Sequence, residues 1–150
     1  APVPLVLVVA PNGVVAGGAL LKDATPEALA RTVPTPRKAE MLAHLTRKLS
    51  VFVVVAGRTM VEQRGAAFEA CNQAVQQLER KAATVVVDLE DEAEKAWRAE
   101  LKISPRENAP VIIVFNAKGQ KTQVFRGPVT AAQLVQAATK KVECCPGGSC

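Results

Sequence analysis

Apolar residues fall into short runs and into helical stripes, and the two patterns predict alternating strands and helices. Short runs rich in Val, Leu and Ile are typical of β-strands, and they occupy residues 4–10, 14–21, 50–56, 83–89, 109–115 and 120–127. Apolar positions three or four residues apart predict helices that begin near residues 25, 36, 64, 91 and 130, and the helix from residue 64 should extend to about residue 81. The strands in the middle of the chain lack a polar alternation, so we expect them to be covered on both faces.

Polar residues at the predicted helix starts support these assignments. Thr-Pro pairs at 25–26 and 35–36 place a capping hydroxyl before a proline that suits the first helical position. Asp91 with Glu94, and Thr130 three residues before a glutamine, have the spacing of capping boxes. We therefore expect the acidic run around Asp91 to be a solvated helix start.

Two segments of the chain resemble one another. Residues 3–13 align with residues 109–119, with a proline before the strand and a glycine in the turn at matching positions. Residues 25–29 align with residues 130–134 at an offset shorter by one residue. Each unit is predicted to be a strand, a tight turn, a strand and a capped helix, whether or not the two share an origin.

Length and composition fit one domain with a substantial core. The chain has 150 residues, of which 49% are hydrophobic, so disulfides are not needed to hold the fold. The net charge is +5, but the basic residues are scattered and often fall near predicted helix ends, where cations complement the helix dipole. With few aromatic side chains to stack on bases, nucleic-acid binding is not expected.

The chain also lacks the signature of a membrane span, since no run of about 18 apolar residues occurs. It opens with residues 1–4, Ala-Pro-Val-Pro, without an initiator Met. That start fits a mature exported protein, a trimmed chain or simple removal of Met. Of these, an exported or periplasmic protein is expected over a cytoplasmic one.

The order of elements over residues 50–141 resembles the thioredoxin-like superfamily. Its first two strands are joined by a crossover helix and should therefore be parallel to each other. Its last two strands form a hairpin and should be antiparallel. Ala109-Pro110 precedes the third of these strands. The resemblance implies a mixed sheet flanked by helices, and a cis peptide bond at Pro110 with a structural role. An extra N-terminal β-hairpin with helices (1–48) would precede the thioredoxin-like domain (49–143).

The chain departs from the family where its chemistry usually resides. Thioredoxins carry Cys-x-x-Cys where the first strand of this unit meets its helix, and the helix N-terminus there lowers the thiol pKa. The corresponding residues 56–65 read AGRTMVEQRG and contain no cysteine. Dithiol exchange at the usual place is therefore excluded.

The four cysteines divide into one core residue and a cysteine-rich tail, residues 144–150. Cys71 lies on the apolar stripe of a predicted helix and should be a buried, inert thiol. Cys144, Cys145 and Cys150 lie around a Pro-Gly-Gly turn. Three interpretations remain open: thiol–disulfide exchange, binding of a soft ion such as Cu(I) or Zn(II), or a disordered end whose thiols are incidental.

The sequence therefore predicts a thioredoxin-like protein without the usual dithiol site, whose tail performs thiol redox chemistry or binds a soft metal ion. If the protein is an enzyme, it should be a thiol–disulfide oxidoreductase. The alternative is a non-catalytic module that binds a protein partner, or a second copy of itself, through the thioredoxin surface or the edge of the N-terminal hairpin.

Overall fold

A computed structural model describes residues 2–142 and has a mixed α/β architecture. Six strands and five helices follow one another with two short 3-10 turns, Leu21–Asp23 and Glu92–Glu94. The strands are β1 (Leu5–Val9), β2 (Val15–Leu20), β3 (Ser50–Ala56), β4 (Ala82–Asp88), β5 (Val111–Phe115) and β6 (Lys121–Arg126). The helices are α1 (Pro26–Thr32), α2 (Pro36–Thr46), α3 (Val61–Gln77), α4 (Lys95–Glu100) and α5 (Ala131–Thr139). Within this part of the chain, no helix is both long and apolar enough to cross a membrane.

The main sheet has four strands in the order β4-β3-β5-β6. β3 and β4 are parallel and are joined through α3, whereas β5 is antiparallel to both β3 and β6. All seven residues of β3 are buried, as the unbroken apolar run predicted. β3 is therefore the strand around which both helical layers are built.

Alternating side chains of β3 enter two separate apolar cores, one on each face of the sheet. Val53 packs with Met41 of α2 and Trp97 of α4. Phe52 packs on the opposite face with Cys71 of α3 and Leu134 of α5. The molecule therefore has three layers, with the sheet between two pairs of helices. Because α2 packs on the main sheet, the N-terminal segment shares this core.

β1 and β2 form a separate two-stranded antiparallel sheet. Its turn is fastened to α2 by Asn12, whose Nδ2 donates to the Ala39 carbonyl oxygen at 2.9 Å. Its inner face lies on α1, where a Cβ at Gly17 would lie 3.5 Å from the Thr32 side chain. The hairpin is thus attached to the domain through two helices.

The two sequence repeats have the same local structure, which confirms the predicted similarity of their hairpins. In the turns, Gly13 has a φ of +82° and Gly119 a φ of +80°. Each glycine donates its backbone N–H three residues back, to Ala10 at 2.8 Å and to Asn116 at 2.9 Å. The ladder is irregular at the matching place in both hairpins, between Val8 and Val9 and between Val114 and Phe115. Both turns therefore use the conformational freedom of glycine in the same way.

Two sequence expectations about the backbone were wrong. Helix α3 was predicted over residues 64–81 but ends at Gln77, because Glu79 and Arg80 adopt left-handed conformations with φ of +52° and +62°. The peptide bond before Pro110 was expected to be cis, yet no peptide bond of residues 2–142 is cis. The trans form is intrinsically favoured before proline.

Glu94 was also misassigned. It does not return to Asp91 to complete a capping box but is buried, at 1% exposure, against the N-terminus of α2. Its Oε1 accepts a hydrogen bond from the Arg37 backbone N–H at 2.9 Å. Asp91 alone caps the 3-10 turn, by accepting from the Ala93 backbone N–H at 3.0 Å. Glu94 therefore links the turn before α4 to the start of α2, through a hydrogen bond to a residue 57 positions earlier in the sequence.

Replacing Glu94 with Ala should lower the free energy of unfolding by about 1–2 kcal/mol, because the substitution leaves a helix N-terminal N–H without its acceptor. The matched control is Glu92→Ala, which removes an exposed carboxylate from the same turn and should change the stability by less than about 0.5 kcal/mol. Urea unfolding at neutral pH measures both values. Equal effects of the two substitutions would contradict the capping role of Glu94.

Candidate functional site

The tail cysteines, Cys144, Cys145 and Cys150, lie outside the described residues. The described part of the chain ends shortly before the tail, since α5 ends at Thr139 and the last described residue is Val142. Residues 139–142, which we call the tail exit, are therefore the described residues next to the predicted site.

The end of α5 is fixed by side chains from the sheet. Thr122 of β6 donates through Oγ1 to the Ala137 carbonyl oxygen at 2.7 Å. Asn116, at the end of β5, donates through Nδ2 to the Lys140 carbonyl oxygen at 3.2 Å. These bonds satisfy carbonyl groups that the last helical turn leaves free. The end of α5 and Lys140 therefore have a defined position on the domain.

Asn116 is itself held in place. It is buried, and its Oδ1 accepts from the backbone N–H groups of Lys118 and Gln120, each at 3.0 Å. Its Nδ2 also donates to Gln120 Oε1 at 2.9 Å. One side chain thus organises the β5–β6 turn and connects it to the tail exit. From the sequence, residues 116–119 were predicted only as a turn, and the contact of Asn116 with Lys140 was not predicted.

A cavity of about 580 Å³ adjoins the tail exit and is rich in lysine. Its lysines are contributed by five different positions of the chain: Lys48, Lys81, Lys118, Lys140 and Lys141. Glu79 is the acidic residue of the lining, and its Oε2 lies 3.3 Å from Lys81 Nζ. The cavity lies at the amino end of β3, where Ser50 forms part of its wall. Most of these lysines are far apart in sequence, so no local pattern predicted that they form a cluster.

The loop between β3 and α3, where the resemblance to thioredoxins led us to look for a dithiol, contains an ion pair. Arg58 Nε donates to Asp88 Oδ2 at 2.8 Å. The Arg58 backbone N–H donates to the Glu90 carboxylate, with the shorter distance, to Oε2, being 3.2 Å. The segment carries no thiol, and its one basic side chain is neutralised by the acidic end of β4. It offers no nucleophile for disulfide exchange.

The same contacts govern the titration of Asp88. Partial burial acts to raise the pKa of this carboxyl, but hydrogen bonds from Glu90 and Arg58 outweigh it and lower the pKa to about 2. The Glu90 backbone N–H donates to Asp88 Oδ1 at 3.0 Å. Asp88 therefore stays ionised well below neutral pH. It holds the loop in place and is not available as a general base.

Pro110 lies at a smaller, mostly apolar cavity of about 260 Å³ beside the first turns of α3. The walls come from α3, from the segment before β5 and from the segment after β6: Gln63, Ala66, Ala67, Ala109, Pro110, Gly127, Pro128 and Val129. The Gly127 backbone N–H donates to the Pro110 carbonyl oxygen at 3.0 Å. Pro110 therefore lies beside α3, and its peptide bond is trans.

Cys71 is fully buried in α3, which confirms the expectation that it belongs to the core. Burial raises the pKa of its thiol to about 12. At neutral pH the group is an uncharged thiol without access to solvent, so it is neither a nucleophile nor a metal ligand.

Residues 2–142 contain no cluster of three or more His, Cys, Asp or Glu side chains that could hold a metal ion. His44, the lone histidine of the chain, lies in α2 on a cavity of about 540 Å³ with Val33 and Pro34. Its Nδ1 is buried and has no hydrogen-bond partner among the described residues.

No protein-family model matches the chain, and no curated protein matches its sequence. The chemistry open to the protein has to be inferred from its own residues. These residues offer a fixed tail exit with a lysine-rich cavity, a neutralised β3–α3 loop, and an apolar cavity at Pro110.

Because the pKa of Asp88 is lowered in the folded state, its ionisation stabilises the fold above about pH 4, and this stabilisation is lost as the pH falls toward 2. Replacing Asp88 with Asn should lower the free energy of unfolding by about 1–2 kcal/mol at pH 7, and the gap to the wild type should close by about pH 2. Urea titrations at several pH values measure this gap. The control is Asp23→Asn, at an exposed position, and a pH-independent gap for Asp88→Asn would contradict the argument.

Cys71 should not react with a thiol reagent in the folded protein. Cys71→Ala should leave the number of fast-reacting thiols unchanged and lower the number counted in denaturant by one, because only unfolding exposes the buried sulfur. A loss of one fast-reacting thiol in the native variant would show that Cys71 is accessible.

Proposed function

We propose that the protein is a thioredoxin-like domain without a dithiol at the usual place, and that the thiols of its C-terminal tail perform thiol–disulfide exchange. The strand order β4-β3-β5-β6, with β3 and β4 parallel and joined through α3, supports the fold assignment. So does Pro110, which precedes β5 and lies beside α3. A fold alone does not define an activity, so the chemistry rests on the cysteines and their surroundings.

The lysine-rich cavity at the tail exit is the observation that carries this proposal. Lys141 precedes Cys144 by three residues, so covalent geometry keeps their Cα atoms within about 11 Å of each other. This distance is close to the Debye length of about 8–10 Å in physiological salt. Positive charges near a thiol stabilise its thiolate and lower its pKa. The five lysines outnumber the two nearby carboxylates, Glu79 of the cavity and Glu143, which directly precedes the tail in the sequence.

A thiolate is the species that attacks a disulfide. One tail thiolate would attack a sulfur of a substrate disulfide, form a mixed disulfide and release the other substrate sulfur as a thiolate. A second tail thiolate would then attack the tail sulfur of the mixed disulfide and release the remaining substrate thiolate. The tail ends as a disulfide and the substrate as a dithiol, so two electrons pass from tail to substrate.

Soft-metal binding makes a different use of the same thiolates. Thiolates are the ligands that Cu(I) and Zn(II) prefer, and three of them lie within seven residues of sequence. A positively charged cavity lowers the affinity for a free cation, because like charges repel. The lysines therefore favour exchange with a disulfide over capture of an ion.

A non-catalytic binding module is the second candidate, and the apolar cavity at Pro110 favours it. The cavity is lined mainly by alanine, proline and valine side chains. It is large enough for one or two apolar side chains of an extended peptide. The thiol-free β3–α3 loop beside α3 would leave such a peptide bound without reacting with it.

Replacing Lys140 and Lys141 with Gln should slow the reaction of the tail thiols with a small aromatic disulfide at pH 7, because the thiol pKa should rise by roughly half a unit. The rate is followed by the absorbance of the released thiolate across a pH series. Lys22→Gln/Lys102→Gln is the matched control, since it removes the same charge from exposed lysines outside the cavity lining.

Cys144→Ser/Cys145→Ser should abolish reduction of a protein disulfide by the prereduced chain. Native mass spectrometry after incubation with Zn(II) or Cu(I) separates exchange from metal binding. Equal activity of the double-serine variant and the wild type would eliminate the exchange function. Three inert, metal-free tail thiols would leave the binding module as the function.

A further inference from the structure

We propose that the outer face of the N-terminal hairpin is a homodimer interface, on which a second copy of this chain packs its own hairpin. This inference does not depend on the thiol chemistry of the tail. It rests on the exposure of one apolar face, on the matching hairpin of the second repeat, and on the lack of charge around the face.

The outer face of the hairpin is apolar throughout. Leu5, Leu7 and Val9 of β1 point to this side and are 58%, 53% and 55% exposed. Their partners across the ladder are Leu20, Gly18 and Val15, so no polar side chain interrupts the face.

Leu7 covers part of β2 on this face. A Cβ at Gly18 would lie 2.8 Å from the Val6 carbonyl oxygen and 3.0 Å from Leu7 Cδ2, so glycine lets the Leu7 side chain lie across β2. An apolar face of this kind is suited to packing against another sheet.

The second repeat shows how the same structure is completed elsewhere in the molecule. Leu5, Leu7 and Val9 correspond to Val111, Ile113 and Phe115 of β5, at the constant offset of the two repeats. Those β5 residues are only 0%, 1% and 9% exposed, because the layer of α2 and α4 covers them. The two hairpins thus share their turn and register, but the outer face of the first has no cover within residues 2–142.

The hairpin is supported by a helix on one face only. A two-stranded sheet needs further strands or a packed helix to be stable in water, and here α1 lies against the inner face alone. Exposed sheet edges in soluble proteins usually carry charged residues that prevent association, yet the first charged residue of this chain is Lys22. Neither edge of this sheet pairs with another strand in the described part of the chain.

A second copy is the occupant that these features fit. A face without charge offers nothing that selects an oppositely charged partner, and it is complementary to itself across a two-fold axis. The outer face, continued by the exposed Val3, presents about 500 Å² of apolar surface, near the upper end for patches on ordinary monomers. Two such faces would bury about 1,000 Å², the area from which specific interfaces begin.

Sedimentation equilibrium of the full chain in reductant, which excludes disulfide-linked dimers, tests the proposal. The wild type should dimerise with a Kd in the micromolar range. Leu7→Lys should be monomeric at about 100 µM, a weakening of at least tenfold. The control Val61→Lys, which alters an exposed valine at the start of α3, should dimerise like the wild type. Circular dichroism checks that each variant is folded.

Two further variants make the result decisive. Leu5→Thr/Leu7→Thr keeps the β-propensity of the strand and should also be monomeric. Val15→Lys/Leu20→Lys changes only β2; it should prevent packing of the faces but would leave pairing through the β1 edge intact. A dimer in this variant would overturn the proposed face-to-face contact.

A wild type that remains monomeric at about 100 µM would overturn the proposal as a whole. Sedimentation with phosphatidylcholine vesicles then identifies the alternative. A monomer that binds these vesicles through Leu7 would assign the face to a lipid surface.

Discussion

The complete burial of β3 is the constraint on which the rest of the structure depends. Val53 and Phe52 enter different cores, and each core needs its own pair of helices. A strand buried on both faces has to be apolar throughout, and it requires helical cover on each side. The crossover helix α3 supplies one cover, and α2 from the N-terminal segment contributes to the other. The three-layer architecture follows from this single strand.

The two ends of the sheet differ in their polar and charged contacts. At the amino end, Asn116 fixes the last turn of α5, and lysines from several elements surround the tail exit. At the carboxyl end, Asp88 and Glu90 hold Arg58 in the β3–α3 loop. Positive charge therefore collects at the tail exit, while the charge of the β3–α3 loop is neutralised. This distribution of charge is the physical basis of our proposal that the tail performs thiol chemistry.

The repeat gives the N-terminal hairpin a different character from the rest of the chain. Its turn and ladder match those of β5 and β6. However, β5 also pairs with β3 and is covered by helices on both faces, whereas β1 pairs only with β2 and its hairpin has a helix on the inner face alone. Similar local sequences thus form an inner strand of the main sheet in one place and an exposed strand pair in the other. The outer face of the hairpin is therefore an apolar surface that no other element covers within residues 2–142.

The sequence by itself determined the elements and the nature of the core. Unbroken apolar runs identified β3 and β5 as buried strands, and the stripe containing Cys71 identified that thiol as a core residue. The Asn-Gly and Lys-Gly turns were predictable because glycine accepts a positive φ at no steric cost. These features depend on neighbours within a few residues, so a local pattern is enough to reveal them.

Tertiary structure alone decided which distant residues meet. Glu94 had the spacing of a local cap, but it bonds to Arg37 because packing brings α2 against the turn before α4. The lysine cavity assembles side chains from separate elements, and Asn116 reaches α5 across 24 residues. The exposure of Leu5, Leu7 and Val9 was likewise invisible in the sequence, since an apolar run is the same whether or not another layer covers it. Long-range contacts of this kind depend on the whole topology, and no local pattern encodes them.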